Sequence, residues 1–295
     1  MLNSIQKHPL LTEFGLVTAA AVGAYELDHH LGDHDNVTRR ASPEFYVNHP
    51  DDAWQTLGVL PGCQIDSKRY FDSLLSFTTD THLVVTAYPE HSFDVEQVCE
   101  GLANNLLRSR IERPSLLCQS MGGIVMRHFL DYCQTQGVTE KLGGFGSIVM
   151  DSSPFDGQDI HRQSRLLLKA AGFARSSKVL DKAKRVSMLA WDKSNMSAGA
   201  HLDTIYAEGK FIDDTHPTNA LPDIMDSVYY VHGSNDFVIN TDQASRKYEH
   251  ISPAGKFYDI LDSSRPERSH TASMPQYRFQ LDLAKVSTQE IYAAA

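Results

Sequence analysis

The stretch SLLCQSMGGIVM, residues 115–126, decides how this sequence folds. A short apolar run ends at Ser120, and two glycines then lead into a segment with helix-like apolar spacing. A strand that turns sharply into a helix lifts the residue at the turn into a strained backbone conformation. Side chains two positions before and two positions after it would collide, so both must be small, and here they are Cys118 and Gly122. The pattern predicts a serine presented on a tight strand-to-helix turn.

Segments around this turn alternate between short apolar runs and helical spacing. Such alternation is typical of a mostly parallel sheet with helices on both faces, which is the predicted fold class. The predicted strands are 54–60, 83–88, 115–118, 145–150, 228–231 and 256–261, and the predicted helices are 65–77, 93–110, 124–133, 241–250 and 281 onward. The alternation stops between about 155 and 226, where we expect a mostly helical insertion. Residues 1–53 are expected to form an N-terminal helix and a linker.

The composition is that of an ordinary globular protein and excludes several classes. Of the 295 residues, 41% are hydrophobic and 22% are charged, which rules out a disordered or collagen-like chain. No apolar run approaches the roughly 18 residues of a spanning helix, so a polytopic membrane protein is excluded. The net charge of −10 makes nucleic acid an unfavourable partner. At about 150 residues per domain the length allows two domains, although α/β folds reach this size as one.

The cysteines and the N-terminal segment bear on the compartment. No C-x-x-C pair occurs, and we favour four reduced thiols and a cytoplasmic protein over two disulfides. The apolar segment 14–25 is interpreted as a short buried or amphipathic helix, with a secretion signal or a membrane-surface anchor as the alternative. His30 and His34 follow it four positions apart, but Gly32 separates them, so a solvated linker is favoured over a metal site.

The turn around Ser120 resembles the nucleophile elbow of the α/β-hydrolase superfamily, whose usual pattern is G-x-S-x-G. Cys118 stands in place of the first glycine. The resemblance covers about 54–295 and implies one α/β-hydrolase domain, esterase- or lipase-like, with a helical cap inserted at about 155–226. A second serine-x-glycine begins at Ser197 but lacks a strand-and-helix setting, so we interpret it as a coincidence.

A nucleophilic serine needs a base, and the base needs an acid that orients it. The resemblance implies the chain order serine, acid, histidine. Asp236 lies in the loop after the penultimate predicted strand, and His270 is the only histidine after the last one. The predicted catalytic triad is therefore Ser120, Asp236 and His270. Asp151, which ends the strand before the insertion, is the alternative acid.

The resemblance also implies an oxyanion hole made of two backbone N–H groups. Met121, at the start of the helix after Ser120, is one expected donor. Cys63, in the loop after the first predicted strand, is the other expected donor, and Gln64 is its alternative. The non-functional interpretation of this loop is a plain Pro-Gly turn. His91 and His216 are candidates to line the pocket, although solvated loop positions are favoured for both.

The implied activity is that of a serine hydrolase acting on a carboxylic ester or related small acyl compound. This chemistry needs no metal and no organic cofactor. The apolar stretch 166–173 would favour a hydrophobic acyl group if it lined the pocket, but we favour it as the core of the cap. An acyltransferase or thioesterase on the same triad remains an alternative. So does a non-catalytic ligand-binding homologue, since fold alone does not fix function.

Overall fold

The computed structural model describes residues 40–63, 65–75, 78, 80–89, 92–162, 164–165, 202–214, 225–233, 236, 238–251, 256–260 and 284. A seven-stranded sheet lies at the centre of this described part. Its strands are β1 (Glu44–Asn48), β2 (Gln55–Leu60), β3 (Thr81–Ala87), β4 (Ser115–Gln119), β5 (Phe145–Asp151), β6 (Met225–Gly233) and β7 (Lys256–Ile260).

Helices connect most of these strands. Within the described ranges they are α1 (Ser67–Leu75), α2 (Val95–Arg108), α3 (Gly122–Thr135), α4 (Val138–Lys141), α5 (Leu202–Asp214) and α6 (Thr241–Ile251). A single 3₁₀ turn covers Gly157–Asp159. Asp94 caps the start of α2, because its side chain accepts hydrogen bonds from the N–H groups of Glu96 and Gln97.

The strands lie in the order β1-β3-β2-β4-β5-β6-β7. Strand β1 is antiparallel to β3, and every other neighbouring pair is parallel. Parallel strands end at a common edge of the sheet, so the loops that follow β2, β4, β5 and β6 meet there. The prediction of a mostly parallel sheet is confirmed.

The sheet is covered on both faces, as the sequence predicts. Successive strand residues point to opposite faces, and the core divides accordingly. Leu117 and Val149 pack with α1 on one face, whereas Leu116 and Ile148 pack with α2 and α3 on the other. Strands buried on both faces have mostly apolar sequences, which is why β2, β4 and β5 could be predicted, although Gln55, Gln119 and Asp151 at their ends are also buried.

The structure differs from the sequence analysis at the N-terminal end. Residues 44–48, which were assigned to the linker, form edge strand β1. No residue of β1 is fully buried and Val47 is 42% exposed, so the strand has no clear apolar alternation. Residues 1–39, including segment 14–25 and the histidine-rich stretch, lie outside the described residues.

The predicted insertion is described only in part. The 3₁₀ turn and helix α5 fall within it, whereas residues 166–201 and 215–224 lie outside the described residues. The 3₁₀ turn and α5 pack closely at Gly157, because a Cβ added there would lie 2.7 Å from the backbone oxygen of Ile212. An ion pair of 3.4 Å between Arg165 and Asp213 is a second contact.

Two further expectations are tested by the described residues. The four cysteines all lie within the described ranges, and none of them forms a disulfide, in agreement with the prediction of thiols. Among the described helices, none has the length and apolar character needed to cross a bilayer.

Candidate active site

Ser120 occupies the turn between β4 and α3, as the sequence predicts. Its φ of 46° lies in the left-handed region, which costs a non-glycine residue about 1–3 kcal/mol. Two main-chain hydrogen bonds hold the turn: the N–H of Ser120 donates to the carbonyl of Asp151 at 2.8 Å, and the N–H of Gly123 donates to the carbonyl of Ser120 at 3.0 Å. Ser120 is 9% exposed, so its hydroxyl lies at the boundary of the core.

The two glycines after Met121 allow α3 to start very close to its neighbours. A Cβ added at Gly122 would lie 2.0 Å from the carbonyl oxygen of Leu60, at the end of β2. A Cβ added at Gly123 would lie 2.4 Å from the Cβ of Ser153. The need for glycine at position 122 therefore comes from the backbone of β2, whereas the sequence analysis attributed it to a collision with Cys118.

Cys118 is a core residue at the end of β4. It is fully buried in the core shared with α2 and α3, and burial raises the pKa of its thiol far above the ordinary value. The thiol therefore stays protonated and behaves as a small apolar group. The departure from the G-x-S-x-G pattern is accommodated because this side chain points into the core.

The loop after β2, residues 61–63, lies directly against the turn at Ser120. A Cβ added at Gly62 would lie 3.1 Å from the Cβ of Ser120 and 3.4 Å from the carbonyl oxygen of Gln119. This proximity places the predicted donor Cys63 one residue from a direct neighbour of Ser120. Gln64, the alternative donor, lies outside the described residues.

Met121 lies at the other side of the candidate oxyanion hole. It is fully buried, with φ of −49° and ψ of −30°, and it immediately precedes α3. Its carbonyl accepts hydrogen bonds from the N–H groups of Ile124 and Val125. The first N–H groups of a helix are not used by the helix itself, and the helix dipole makes this end attractive to an anion.

Asp236 is held rigidly in the loop after β6. It is 8% exposed, and its Oδ1 accepts hydrogen bonds from the N–H groups of Val238 at 2.8 Å and Ile239 at 2.9 Å. Ile239 also pairs with Ile160, which anchors the loop to the segment after β5. The two hydrogen bonds to Oδ1 form a turn that fixes the direction of the carboxylate.

Asp151, the alternative acid, is buried at the end of β5. Its main chain contacts the turn at Ser120 through the hydrogen bond from the Ser120 N–H, and its residue pair across the sheet is Gln119. Asp151 thus ends β5 and Asp236 follows the neighbouring strand β6, at the same edge of the sheet. His270, the predicted base, lies outside the described residues, as do His91, His216 and Ser197.

Several residues that support the turn were missed by sequence reasoning. Ser153 Oγ donates to the carbonyl of Cys118 at 3.2 Å, which ties the segment after β5 to the strand before Ser120. The hydroxyls of Tyr230 and Tyr248 donate to the carbonyls of Ser153 and Pro154, both at 3.0 Å. Only the triplet Ser-Ser-Pro after a strand signals this arrangement in the sequence, and it does not identify the partners.

Helix α5 contributes a second unanticipated contact. The thiol of Cys63 donates to Oε2 of Glu208 at 2.7 Å. Glu208 is 3% exposed, so a carboxyl group of α5 is buried beside the loop 61–63. Phe211, one turn later on α5, stacks on Phe93 with ring centroids 4.2 Å apart.

Comparison with known proteins gives matches in structure alone. No protein-family model matches the chain, and no curated protein sequence matches it. An esterase from Exiguobacterium antarcticum is similar over 85% of this chain and 99% of its own, with 13% identity and a TM-score of 0.58. A thermophilic esterase from Thermogutta terrifontis is similar over 87% and 98%, with 11% identity and a TM-score of 0.57.

The enol-lactonase from Burkholderia xenovorans LB400 is similar over 85% of this chain and 96% of its own, with 9% identity and a TM-score of 0.58. All three are α/β-hydrolase structures, and the likeness extends over nearly their whole length. With its mostly parallel sheet covered on both faces, the chain has the α/β-hydrolase fold.

Proposed function

We propose that the protein is a serine hydrolase that cleaves a carboxylic ester or a related small acyl compound through an acyl-enzyme. The observation that carries this proposal is the left-handed backbone of Ser120 at the junction of β4 and α3, with the loop 61–63 against it. A strained serine at the N-terminus of a helix is suited to attack a carbonyl, because backbone N–H groups there can stabilise an oxyanion. The esterase and lactonase names of similarly folded proteins support an acyl substrate.

In the proposed mechanism the hydroxyl of Ser120 attacks the carbonyl carbon while His270 accepts its proton. The N–H groups of Met121 and Cys63 stabilise the oxyanion of the tetrahedral intermediate. His270 then protonates the leaving alcohol and activates a water molecule that releases the acid. Asp236 orients the imidazole, and its own direction is fixed by the two N–H groups that bind Oδ1.

The same residues support two alternatives. In an acyltransferase, a second alcohol or a thiol replaces water in the deacylation step, and a thioesterase differs in its leaving group. Product analysis with added alcohols or thiols separates these from simple hydrolysis. A non-catalytic homologue would bind a ligand beside Ser120 without reacting with it. We place the catalytic domain at about 54–295 with its cap at about 155–226, and add strand β1 to its sheet.

The test is labelling with a fluorophosphonate probe, followed by mass spectrometry of the labelled peptide. Ser120→Ala removes the proposed nucleophile, and Ser197→Ala is the matched control in the second serine-x-glycine of the chain. We expect wild type and Ser197→Ala to be labelled on Ser120, and Ser120→Ala not to be labelled. Folded wild-type protein that takes up no probe and hydrolyses no 4-nitrophenyl ester would favour the ligand-binding alternative.

The acid is tested by comparing Asp236→Asn with Asp151→Asn. Replacing the orienting acid of a triad lowers kcat by about 10⁴-fold, because the imidazole adopts the wrong tautomer. We expect a loss of this order in Asp236→Asn and a much smaller loss in Asp151→Asn. The reverse result would assign the role to Asp151 and leave the nucleophile unaffected.

A further inference from the structure

The loop after β2, residues 61–63, is held from the side of β3 by a buried tyrosine. The hydroxyl of Tyr88 donates to the carbonyl of Pro61 at 3.0 Å. Burial raises the pKa of Tyr88 well above its ordinary value, so this hydroxyl stays protonated and remains a donor. The contact fixes the carbonyl two residues before Cys63.

The same loop is held from the other side by Glu208 on α5. The 2.7 Å contact joins the Cys63 side chain to a carboxyl group that is almost fully buried. Moving a carboxyl group out of water is costly unless its oxygens are hydrogen-bonded, so Cys63 is part of the reason that α5 can lie here. The two residues are 145 positions apart, and the contact links the insertion to the core domain.

A series of aromatic contacts connects Tyr88 with α5, the helix that carries Glu208. Tyr88 contacts Phe93 with ring centroids 5.1 Å apart, and Phe93 stacks on Phe211 at 4.2 Å. Phe211 and Glu208 are three positions apart on α5 and therefore share one face of the helix. A closed ring of contacts results: from the loop through Tyr88, Phe93 and Phe211 to α5, and back through Glu208 to Cys63.

We propose that Glu208 is a positioning residue, which holds the Cys63 main chain in its catalytic geometry through the thiol while α5 is docked. This inference rests on the proposed function, in which the Cys63 N–H is an oxyanion donor. A hydrogen bond at the end of a side chain restricts the movement of the main chain to which it is attached. Oxyanion donors must be held within about 0.5 Å of the productive geometry. Docking of the insertion helix would in this way be coupled to the rate of the chemical step.

The expected losses follow from the indirect role. Removing an oxyanion donor outright lowers kcat by about 10²–10³-fold, and loosening one lowers it less, by about 10-fold. We expect Cys63→Ala and Glu208→Ala each to lower kcat for 4-nitrophenyl butyrate by this smaller factor, while KM changes by less than about twofold. Cys63→Ser and Glu208→Gln keep a donor and an acceptor, respectively, and are expected to recover most of the loss.

The assay counts active sites by fluorophosphonate labelling of Ser120, so kcat refers to folded enzyme. Inhibition by a trifluoromethyl ketone, which forms a tetrahedral oxyanion on the serine, is measured in parallel, and its Ki should rise by the factor that kcat loses. Lys210→Ala, at an exposed position on the same helix, is the control that should change neither value. The double variant Cys63→Ala/Glu208→Ala should lose no more than either single variant, since both remove one contact.

The outcomes separate the two proposals. Wild-type labelling at Ser120 together with unchanged kcat and Ki in both single variants overturns the positioning role and leaves the proposed hydrolase standing. Losses that multiply in the double variant also overturn it, because the two side chains would then act independently. If the wild type neither labels nor turns over ester, the proposed function fails and the inference fails with it. Should Glu208→Ala not fold, Cys63→Ala and Cys63→Ser decide the question.

Discussion

Gly122→Ala tests directly how the turn between β4 and α3 at Ser120 is built. The added methyl group would lie 2.0 Å from the carbonyl oxygen of Leu60, 2.8 Å from its carbonyl carbon and 3.0 Å from the carbonyl oxygen of Pro61. All three are backbone atoms, so no side chain can rotate away to relieve the contact. Either the start of α3 or the end of β2 must move by at least about 1 Å, since Cβ contacts under 3.0 Å are essentially never seen.

The size of the effect follows from where those atoms lie. Overpacking a core costs about 1–3 kcal/mol where side chains can adjust, and we expect about 3 kcal/mol or more here because β2 is buried between β3 and β4. Alanine recovers at most about 1 kcal/mol of that through its higher helix propensity. The shift also moves the loop 61–63 relative to Ser120, so labelling by the fluorophosphonate probe should slow as well.

The assay is urea unfolding followed by circular dichroism, with Gly101→Ala as the matched control. A Cβ at Gly101 would lie 2.4 Å from the ring of Phe45, which is the end of a partly buried side chain on edge strand β1. That ring can move, and α2 gains about 1 kcal/mol from alanine, so the control should change stability little. A Gly122→Ala protein within about 0.5 kcal/mol of wild type would refute the close-approach reasoning.

Two further predictions concern buried charge. Burial and the neighbouring His49 lower the pKa of His82. The folded protein therefore binds this proton less readily than the unfolded chain does. The contribution of neutral His82 to the free energy of unfolding is present above about pH 6.5 and is lost as the pH falls below that value. His82→Gln should flatten the fall in unfolding free energy as the pH drops below about 6.5. Arg127 donates to the carbonyl of Phe155 at 2.7 Å and lies 3.7 Å from its ring centroid. Arg127→Met should cost about 3 kcal/mol in urea unfolding and Arg127→Lys less, while a loss under about 1 kcal/mol in Arg127→Met would contradict this account.

The sheet could be predicted wherever burial is complete. Strands β2, β4 and β5 are buried at every position, and between their polar end residues Gln55, Gln119 and Asp151 their sequences are mostly apolar. Strand β1 could not be predicted by this reasoning. It pairs on one side only, Glu44 and Val47 are exposed, and its three remaining residues are partly buried. An edge strand of this kind depends on β3 for its conformation, and the local sequence carries little trace of that partner.

The candidate site likewise has features that the local sequence predicts and features that depend on distant residues. The turn at Ser120 depends on residues adjacent in sequence, so the pattern SLLCQSMGG predicts it. The reason for Gly122, in contrast, lies in Leu60, and the support of Cys118 lies in Ser153. The contact between Cys63 and Glu208 joins residues still further apart in the sequence. A glutamate in a predicted helix is usually solvated, so the sequence does not show that Glu208 is buried. Contacts between distant segments follow from the fold, so sequence periodicity alone does not reveal them.

Four non-glycine residues of the described part have a left-handed backbone: Arg110 and Arg113 in the loop before β4, and Ser120 and Ser152 at the opposite ends of the strands. Ser120 and Ser152 have φ of 46° and 44°, and they follow the ends of the neighbouring strands β4 and β5. The left-handed conformation costs each serine about 1–3 kcal/mol, whereas glycine would adopt it without this cost. Their N–H groups donate to the carbonyls of Asp151 and Val231, which belong to the next strand in each case. Two strained residues are thus held by the sheet at the edge where the candidate acids also lie. The two serines, unlike Arg110 and Arg113, lie at the edge that carries both candidate acids, and we expect the proposed reaction to take place there.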